Sequence, residues 1–136
     1  MELRSYQPGD FRQIKQLLIK CKLFDKSYDT KGKLDRKKPR DSIIVADDNG
    51  CIVGCIFYTW DNWDSSLYRL AVNKRYRNRG IGTRLLEEAE KRLKKRGADV
   101  SSSRIHVRNK TALKFLRKHG YHGSWGPYWG LEKKLR

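Results

Sequence analysis

The stretch that most restricts the fold is residues 67–97, LYRLAVNKRYRNRGIGTRLLEEAEKRLKKRG. Its opening, LYRLAV, reads as a central strand ending at Val72, and a basic loop with two glycines, Gly80 and Gly82, follows. Ile81, Leu85, Leu86, Ala89 and Leu93 then recur at helical spacing, giving one apolar stripe to lay on a sheet, and Gly97 ends the helix. A strand, a glycine turn and a helix together make a phosphate-holding geometry. The first N–H groups of a helix lack internal partners and carry the positive end of its dipole, and glycine lets that backbone come close to an anion. Arg77, Arg79 and Arg84 add charge and hydrogen-bond donors. A plain tight turn also accounts for a glycine pair. Two other phosphate motifs fail: no Gly-Lys-Ser/Thr closes the loop, and Leu85 stands where a dinucleotide fingerprint needs a small residue.

The rest of the chain predicts elements on both sides. Leu3 to Tyr6 is a short strand, and Pro8-Gly9-Asp10 turns the chain and caps a helix striped by Phe11, Ile14, Leu17, Leu18 and Cys21. Residues 31–40, KGKLDRKKPR, have little to bury and predict a solvated loop. SIIVAD and CIVGCIFYTW flank Asp48-Asn49-Gly50, a tight hairpin signal. Val100 to Val107 predicts a strand with Arg104 and His106 on one face and Ile105 and Val107 on the other. Asn109 caps a last helix with Ala112, Phe115 and Leu116 inward, stopped by Gly120, and the tail YHGSWGPYWGLEKKL predicts a closing hairpin. An antiparallel first half and a strand–helix–strand second half make a mixed α/β sandwich. With 136 residues and no internal repeat or low-complexity linker, residues 1–136 are expected to form a single domain.

Charge narrows the partners. Lys and Arg number 32 against 15 Asp and Glu, a formal net charge of +17, so the surface seeks anions. Cys51 and Cys55 on one strand stand roughly 13 Å apart, too far for a disulfide, and the three cysteines show no metal-ligand spacing. Buried thiols, a reducing compartment and a cytoplasmic location are the expectation, with no metal. MELRSYQPGD lacks the apolar core of a signal peptide, and no run is long enough to span a membrane.

Arg77-Asn78-Arg79-Gly80-Ile81-Gly82, led in by Leu70-Ala71-Val72, resembles the Arg/Gln-x-x-Gly-x-Gly/Ala signature of the GNAT superfamily of acetyl-CoA-dependent N-acetyltransferases. The second superfamily marker is matched at the usual distance by Asn109-Lys-Thr-Ala112-Leu-Lys-Phe115-Leu116, closing with His119-Gly120-Tyr121. GDFRQIKQLL resembles the family's first strand-turn-helix and WGLEKKL its last strand, so the resemblance covers nearly the whole chain in order. It implies a GNAT-like α/β fold: a mixed, mostly antiparallel sheet with helices on both faces.

The resemblance also implies a cofactor and its contacts. Acetyl-CoA would be co-substrate. Leu70, Ala71 and Val72 would pair with the pantetheine arm, where the strand splays from its neighbour. The backbone of Arg77, Asn78, Arg79, Gly80, Ile81, Gly82 and Thr83 would hold the pyrophosphate, and Asn109 would touch the cofactor as well as cap its helix. Acetyl transfer to an amine needs a neutral amine in register, a stabilised oxyanion and a proton for the leaving thiolate. A backbone N–H near Val72 suits the oxyanion. Many members carry a proton-donating tyrosine where this chain has Leu116, and some carry a glutamate base where it has Arg104. By residue type the substitutes are Tyr121, Tyr68, His106, His119, Asp61 and Asp64. His106 is the preferred base and Tyr121 the other catalytic candidate, with an ordered water chain equally acceptable.

The expected activity is transfer of acetyl to a primary amine of a small molecule or protein by direct attack, because nothing activates Cys51 or Cys55 as an acyl carrier. Arg104 beside the acceptor would favour a substrate bearing a carboxylate or phosphate, and a basic cleft suits polyamines and aminoglycosides poorly. Two other readings stay open: a nucleic-acid- or ribosome-associated module on the same fold, for which Tyr121, Trp125, Tyr128 and Trp129 offer stacking, and an acyl-CoA binder without transfer.

Overall fold

A computed structural model describes residues 1–36, 42–106, 108–123 and 128–135 of the chain. Its strands are β1 (Glu2–Ser5), β2 (Ile43–Asp48), β3 (Cys51–Trp60), β4 (Ser65–Val72), β5 (Val100–His106) and β6 (Tyr128–Lys134). Its α-helices are α1 (Phe11–Lys20), α2 (Lys31–Asp35), α3 (Ile81–Lys95) and α4 (Lys110–Lys118), and short 3-10 turns cover Pro8–Asp10 and Lys74–Tyr76. The strands hydrogen-bond in sequence order in one sheet, antiparallel except for the parallel pair β4 and β5. This is the mixed, mostly antiparallel α/β architecture expected, and the β4-α3-β5 crossover supplies the parallel step.

Two compact units share the chain: residues 1–57 with 69–89, and residues 58–68 with 90–136. In the first, β2 and β3 form the predicted hairpin. Asp48 pairs with Cys51 across Asn49 (φ 52°) and Gly50 (φ 92°), the left-handed pair that a two-residue turn requires. Ile43, Ile44, Val45 and Ala46 are all fully buried, so residues pointing to both faces of β2 are covered. Ile14, Leu17 and Leu18 of α1 and Ile81, Leu85, Leu86 and Ala89 of α3 supply the facing apolar stripes. Gly54 sets how close α3 comes to the sheet. A Cβ there would lie 3.0 Å from Leu85 Cδ1 and 3.3 Å from Ile81 Cγ2, so the start of α3 rests on bare strand backbone.

In the second unit serine hydroxyls bind β4 to β5. Ser65 Oγ donates to the Val100 carbonyl at 2.7 Å, Ser103 Oγ donates to that of Leu67 at 3.2 Å, and Ser102 Oγ donates to that of Ser65. β6 pairs with the whole of β5, from Val100 opposite Lys134 to His106 opposite Tyr128. The tail closes as expected at one point, an antiparallel bridge between His122 and Glu132.

Three local expectations change. Residues 31–35 form α2 instead of solvated loop, because Thr30 caps it by accepting from Lys33 N at 3.2 Å and Leu34 finds a buried place. Residues 37–40 of that segment lie outside the described residues, as do Val107 and Trp125. Asp10 does not cap α1 with its side chain. Its carboxylate instead takes Gln7 N–H at 2.8 Å and a two-pronged Arg4 at 2.8 and 2.9 Å. β4 starts at Ser65, ahead of the apolar run, because the serine bonds to β5 extend it.

Candidate cofactor-binding site

The end of β4 and the start of α3 are built by a chain of local bonds. Asn73 N donates to the Val53 carbonyl of β3 at 2.8 Å, and the Asn73 side chain accepts from Arg75 N at 3.0 Å, which starts the Lys74–Tyr76 turn. Arg77 is extended, then Asn78 (φ 62°) and Gly80 (φ 79°) both turn left-handed. Gly80 is the residue at which the helix begins: its carbonyl accepts Arg84 N at 3.0 Å. A Cβ on Gly80 would meet open space, so this position needs glycine for its backbone angle and not for room. Gly82 is different. Its φ is not left-handed, and inside the first turn of a helix a glycine costs up to about 1 kcal/mol relative to alanine. Its benefit is a bare backbone. Residues 77–80 are exposed while Ile81 is buried, so the loop that leads into α3 stands at the surface on an anchored turn. That arrangement suits a diphosphate.

The arginines of the loop lie against the protein. Arg77 Nε donates to the Val72 carbonyl at 3.1 Å and its Nη2 reaches Cys21 Sγ at 3.8 Å, while Arg79 lies over the Tyr76 ring at 5.0 Å. Asp48 holds the Tyr76 hydroxyl above its usual pKa by hydrogen bonding. The Arg77 and Arg79 side chains are thus engaged with Val72, Cys21 and Tyr76 beside the turn.

The edge of β4 follows from its period of two. Asn73 N–H faces β3, and the Ala71 carbonyl lies 3.2 Å from where a Gly54 Cβ would stand, so residues 71 and 73 point their backbones at β3. The Val72 amide therefore faces the opposite edge. Just upstream Arg69 adopts φ 56°, a left-handed residue within a strand, and its carbonyl accepts Cys55 Sγ at 3.5 Å. Its guanidinium is clamped to Asp29, which is only 3% exposed.

Of the remaining named residues, Leu70 to Val72 and Arg77 to Thr83 belong to the first unit, and His106, Asn109 and Tyr121 to the second. Asn109 caps α4, its Oδ1 accepting from Ala112 N at 3.2 Å. His106 pairs with Tyr128 through its backbone, and its side chain is outside the described residues. Tyr121 is buried. Its hydroxyl lies 2.7 Å from Glu90 Oε2 and 2.8 Å from Ser101 Oγ, and Lys133 completes the group with a 3.1 Å ion pair to Glu90. Burial above all pushes the Tyr121 hydroxyl well above its ordinary pKa, with the Glu90 carboxylate adding to it. His119 is tied to the Phe115 carbonyl at 2.8 Å, and Asp61 accepts from Asp64 N and Trp63 N, hydrogen bonds that hold its carboxyl below the usual range. Leu116 is buried and Arg104 exposed. Burial likewise raises the Cys55 thiol, which keeps it a thiol. Among the described residues no cluster of His, Cys, Asp and Glu fits a metal ion, and no helix is long and apolar enough to cross a membrane.

Sequence reasoning missed Arg69 with Asp29 and the Glu90–Tyr121–Ser101–Lys133 group. The one signal for the latter was Glu90 at the edge of the α3 apolar stripe, four residues after Leu86 and three before Leu93.

Comparison with known proteins gives the family and the fold. The model of the acetyltransferase (GNAT) family matches residues 11–121. An acetyltransferase of Yersinia pestis (strain Pestoides F) is 31% identical over 123 residues, covering 89% of this chain and 87% of the relative. The PaiA N-acetyltransferase of Thermoplasma acidophilum, solved in complex with coenzyme A, has the same fold with a TM-score of 0.81 at 23% identity over 98% of each chain. The ribosomal-protein-S18-alanine N-acetyltransferase of Escherichia coli gives 0.80 at 16% identity, over 98% of this chain and 93% of that one. With its signature loop on an anchored helix start and its family matched along most of its length, the chain belongs to the acetyltransferase (GNAT) family and uses acetyl-CoA as co-substrate.

Proposed function

We propose that the protein transfers the acetyl group of acetyl-CoA to a primary amine by direct attack. The observation that carries this reading is the pairing of a left-handed Gly80 with a bare Gly82 at the exposed start of α3. The amides of Gly80, Ile81 and Gly82 bind the diphosphate, with the backbone of Arg77 to Thr83 forming the loop around it. Leu70, Ala71 and Val72 orient the pantetheine arm along the strand edge, and the Val72 N–H, facing away from β3, donates to the carbonyl oxygen under attack. Asn109 contacts the cofactor while retaining its cap. Acetyl-CoA supplies the activated acyl group.

Proton handling is assigned by elimination of the engaged groups. Tyr121 shares its hydroxyl with Glu90 and Ser101, so it acts by holding the end of α4 against α3 and β5, and its proton stays in place. His106, or water beside it, takes the amine proton as the C–N bond forms, and that group or solvent protonates the thiolate released when the C–S bond breaks. Positioning supplies much of the rate, since effective molarities of ~10⁵ M or more are reached by good alignment. The acceptor carries an anionic group near its amine, matched to exposed Arg104. A protein N-terminus with an acidic neighbour fits this description and parallels the protein acceptor named for the Escherichia coli neighbour.

The test is release of free thiol from acetyl-CoA with a panel of amines, with and without a carboxylate beside the amine. Turnover with the anionic members, and a raised acceptor KM in Arg104→Ala, is the expected result. Acetyl-CoA binding without thiol release on any amine would leave only an acyl-CoA binder, and the proposal fails.

A further inference from the structure

The coenzyme accounts for few of the cations, and their placement on two helices of this chain differs in kind. On α3 the basic run is interleaved with acids. Glu87 precedes Lys91 and Glu88 precedes Arg92 by four residues, the spacing and polarity that favour a helix in water. On α4 no acid is interleaved. Every charged residue of Lys110–Lys118 is basic: Lys110, Lys114, Arg117 and Lys118. At 100° per residue these four fall on one face, opposite the side that buries Leu116, and all are exposed. Like charges four apart oppose helix formation, and Lys110 stands in the first turn, where the helix dipole disfavours a cation. Arg117 and Lys118, in the last turn, are favoured by that dipole, so Lys110 and Lys114 are the cations that the helix itself does not explain.

We propose that this stripe of α4 docks on the phosphate backbone of a double-stranded nucleic acid. Lys110, Lys114 and Lys118 form a row that rises about 12 Å at 1.5 Å per residue and drifts about 80° around the axis, a line of charge suited to the dense phosphates of a duplex. Single strands are held by aromatic platforms between the cations, and the stripe has none: Thr111 is the one uncharged residue on it. Docking is sequence-independent, because lysines on phosphates position without reading bases. It goes beyond the acetyl-transfer reading and does not depend on it.

The experiment follows binding of a fluorescein-labelled DNA duplex to the full chain by anisotropy, between about 50 and 200 mM salt. The expected parent behaviour is binding that weakens linearly on logarithmic axes. In the variant Lys110→Gln/Lys114→Gln/Lys118→Gln the slope becomes shallower by about 0.9 for each phosphate contact removed. Lys91→Gln/Lys95→Gln on α3 leaves it unchanged. The thermal shift given by acetyl-CoA stays at the parent value in the α4 variant, which shows that it is folded. The proposal is overturned by a parent that does not bind the duplex, by an unchanged slope in the α4 variant, or by an equal loss in the α3 variant. Displacement by polyglutamate as readily as by unlabelled duplex, or preference for single strands, overturns it too. Loss of the acetyl-CoA shift with duplex binding intact would assign the stripe to the cofactor and overturn it as well.

Discussion

Arg69 Nε donates to both carboxylate oxygens of Asp29, at 3.2 and 3.1 Å, while its own backbone turns left-handed at φ 56°. A non-glycine residue in this region costs on the order of 1 kcal/mol and persists when its surroundings hold it. Here an ion pair to a residue 40 positions away holds it, immediately before the strand edge that leads to the glycine loop.

Arg69→Gly removes the backbone cost and leaves the buried Asp29 carboxylate without its guanidinium. Orphaning a buried charge costs about 3 kcal/mol, so the net loss is about 2 kcal/mol. Urea unfolding measures it. Adding Asp29→Asn restores part of the loss. A neutral or stabilising Arg69→Gly would show that the pair does not hold the turn.

The two loop glycines separate under substitution by alanine. Gly80→Ala lowers stability by about 1 kcal/mol because alanine resists the left-handed angle. Gly82→Ala leaves stability equal or up to about 1 kcal/mol higher, since alanine favours the helix. Coenzyme A binding by calorimetry is retained in Gly82→Ala, which the Gly/Ala position of the signature tolerates, and weakens in Gly82→Asp, which sets a carboxylate against the diphosphate. A folded Gly82→Asp that binds as tightly as the parent contradicts the amide cradle.

Asn109→Ala loses the α4 cap, about 1 kcal/mol. Asn109→Asp keeps the cap and adds a negative charge. The KM for acetyl-CoA should rise in both, while only the alanine variant melts lower. A KM that follows melting temperature alone leaves Asn109 as a cap and nothing more.

Alkaline pH should unfold the protein through its buried acids. Burial raises the Cys55 thiol and the Tyr121 hydroxyl above their ordinary values of 9.0 and 10.0. Above those values the unfolded chain releases protons that the native state retains. Stability is therefore complete below about pH 9 and falls as pH rises, by up to about 1.4 kcal/mol per pH unit for each group. Denaturant midpoints between neutral and alkaline pH give the slope. Cys55→Ser flattens it from the lower end of the range, and Tyr121→Phe from about pH 10. The same Tyr121→Phe variant leaves kcat within a few-fold of the parent, the result expected if its hydroxyl holds structure and does not donate to the leaving group.

Elements whose causes lie within a few residues were legible in the amino-acid order. The Asn49-Gly50 hairpin, the Asn109 cap, the apolar stripe of α3 and the glycine at its head each follow from backbone angles and side chains closer than one helical turn or one hairpin. Their ends were legible too: Ala98 N bonds to Leu93 O after Gly97, and Tyr121 N bonds to Leu116 O after Gly120. The segment 31–35 misled for the opposite reason. Its composition is that of a loop, and α2 forms because Thr30 caps it, Leu34 is buried and the helix packs on the Pro8–Asp10 turn, distant in the chain.

By itself, then, the sequence determined the family, the order of the strands and longer helices, and the glycine turn at the head of α3, because motifs, glycine angles, caps and apolar periods act locally. Tertiary structure alone decided which polar side chains are occupied. Arg77 turns back to Val72 and Cys21, Arg69 is spent on Asp29, and Tyr121 is sealed with Glu90 and Ser101. Those partners stand up to 56 positions away, and only folding brings them within bonding distance.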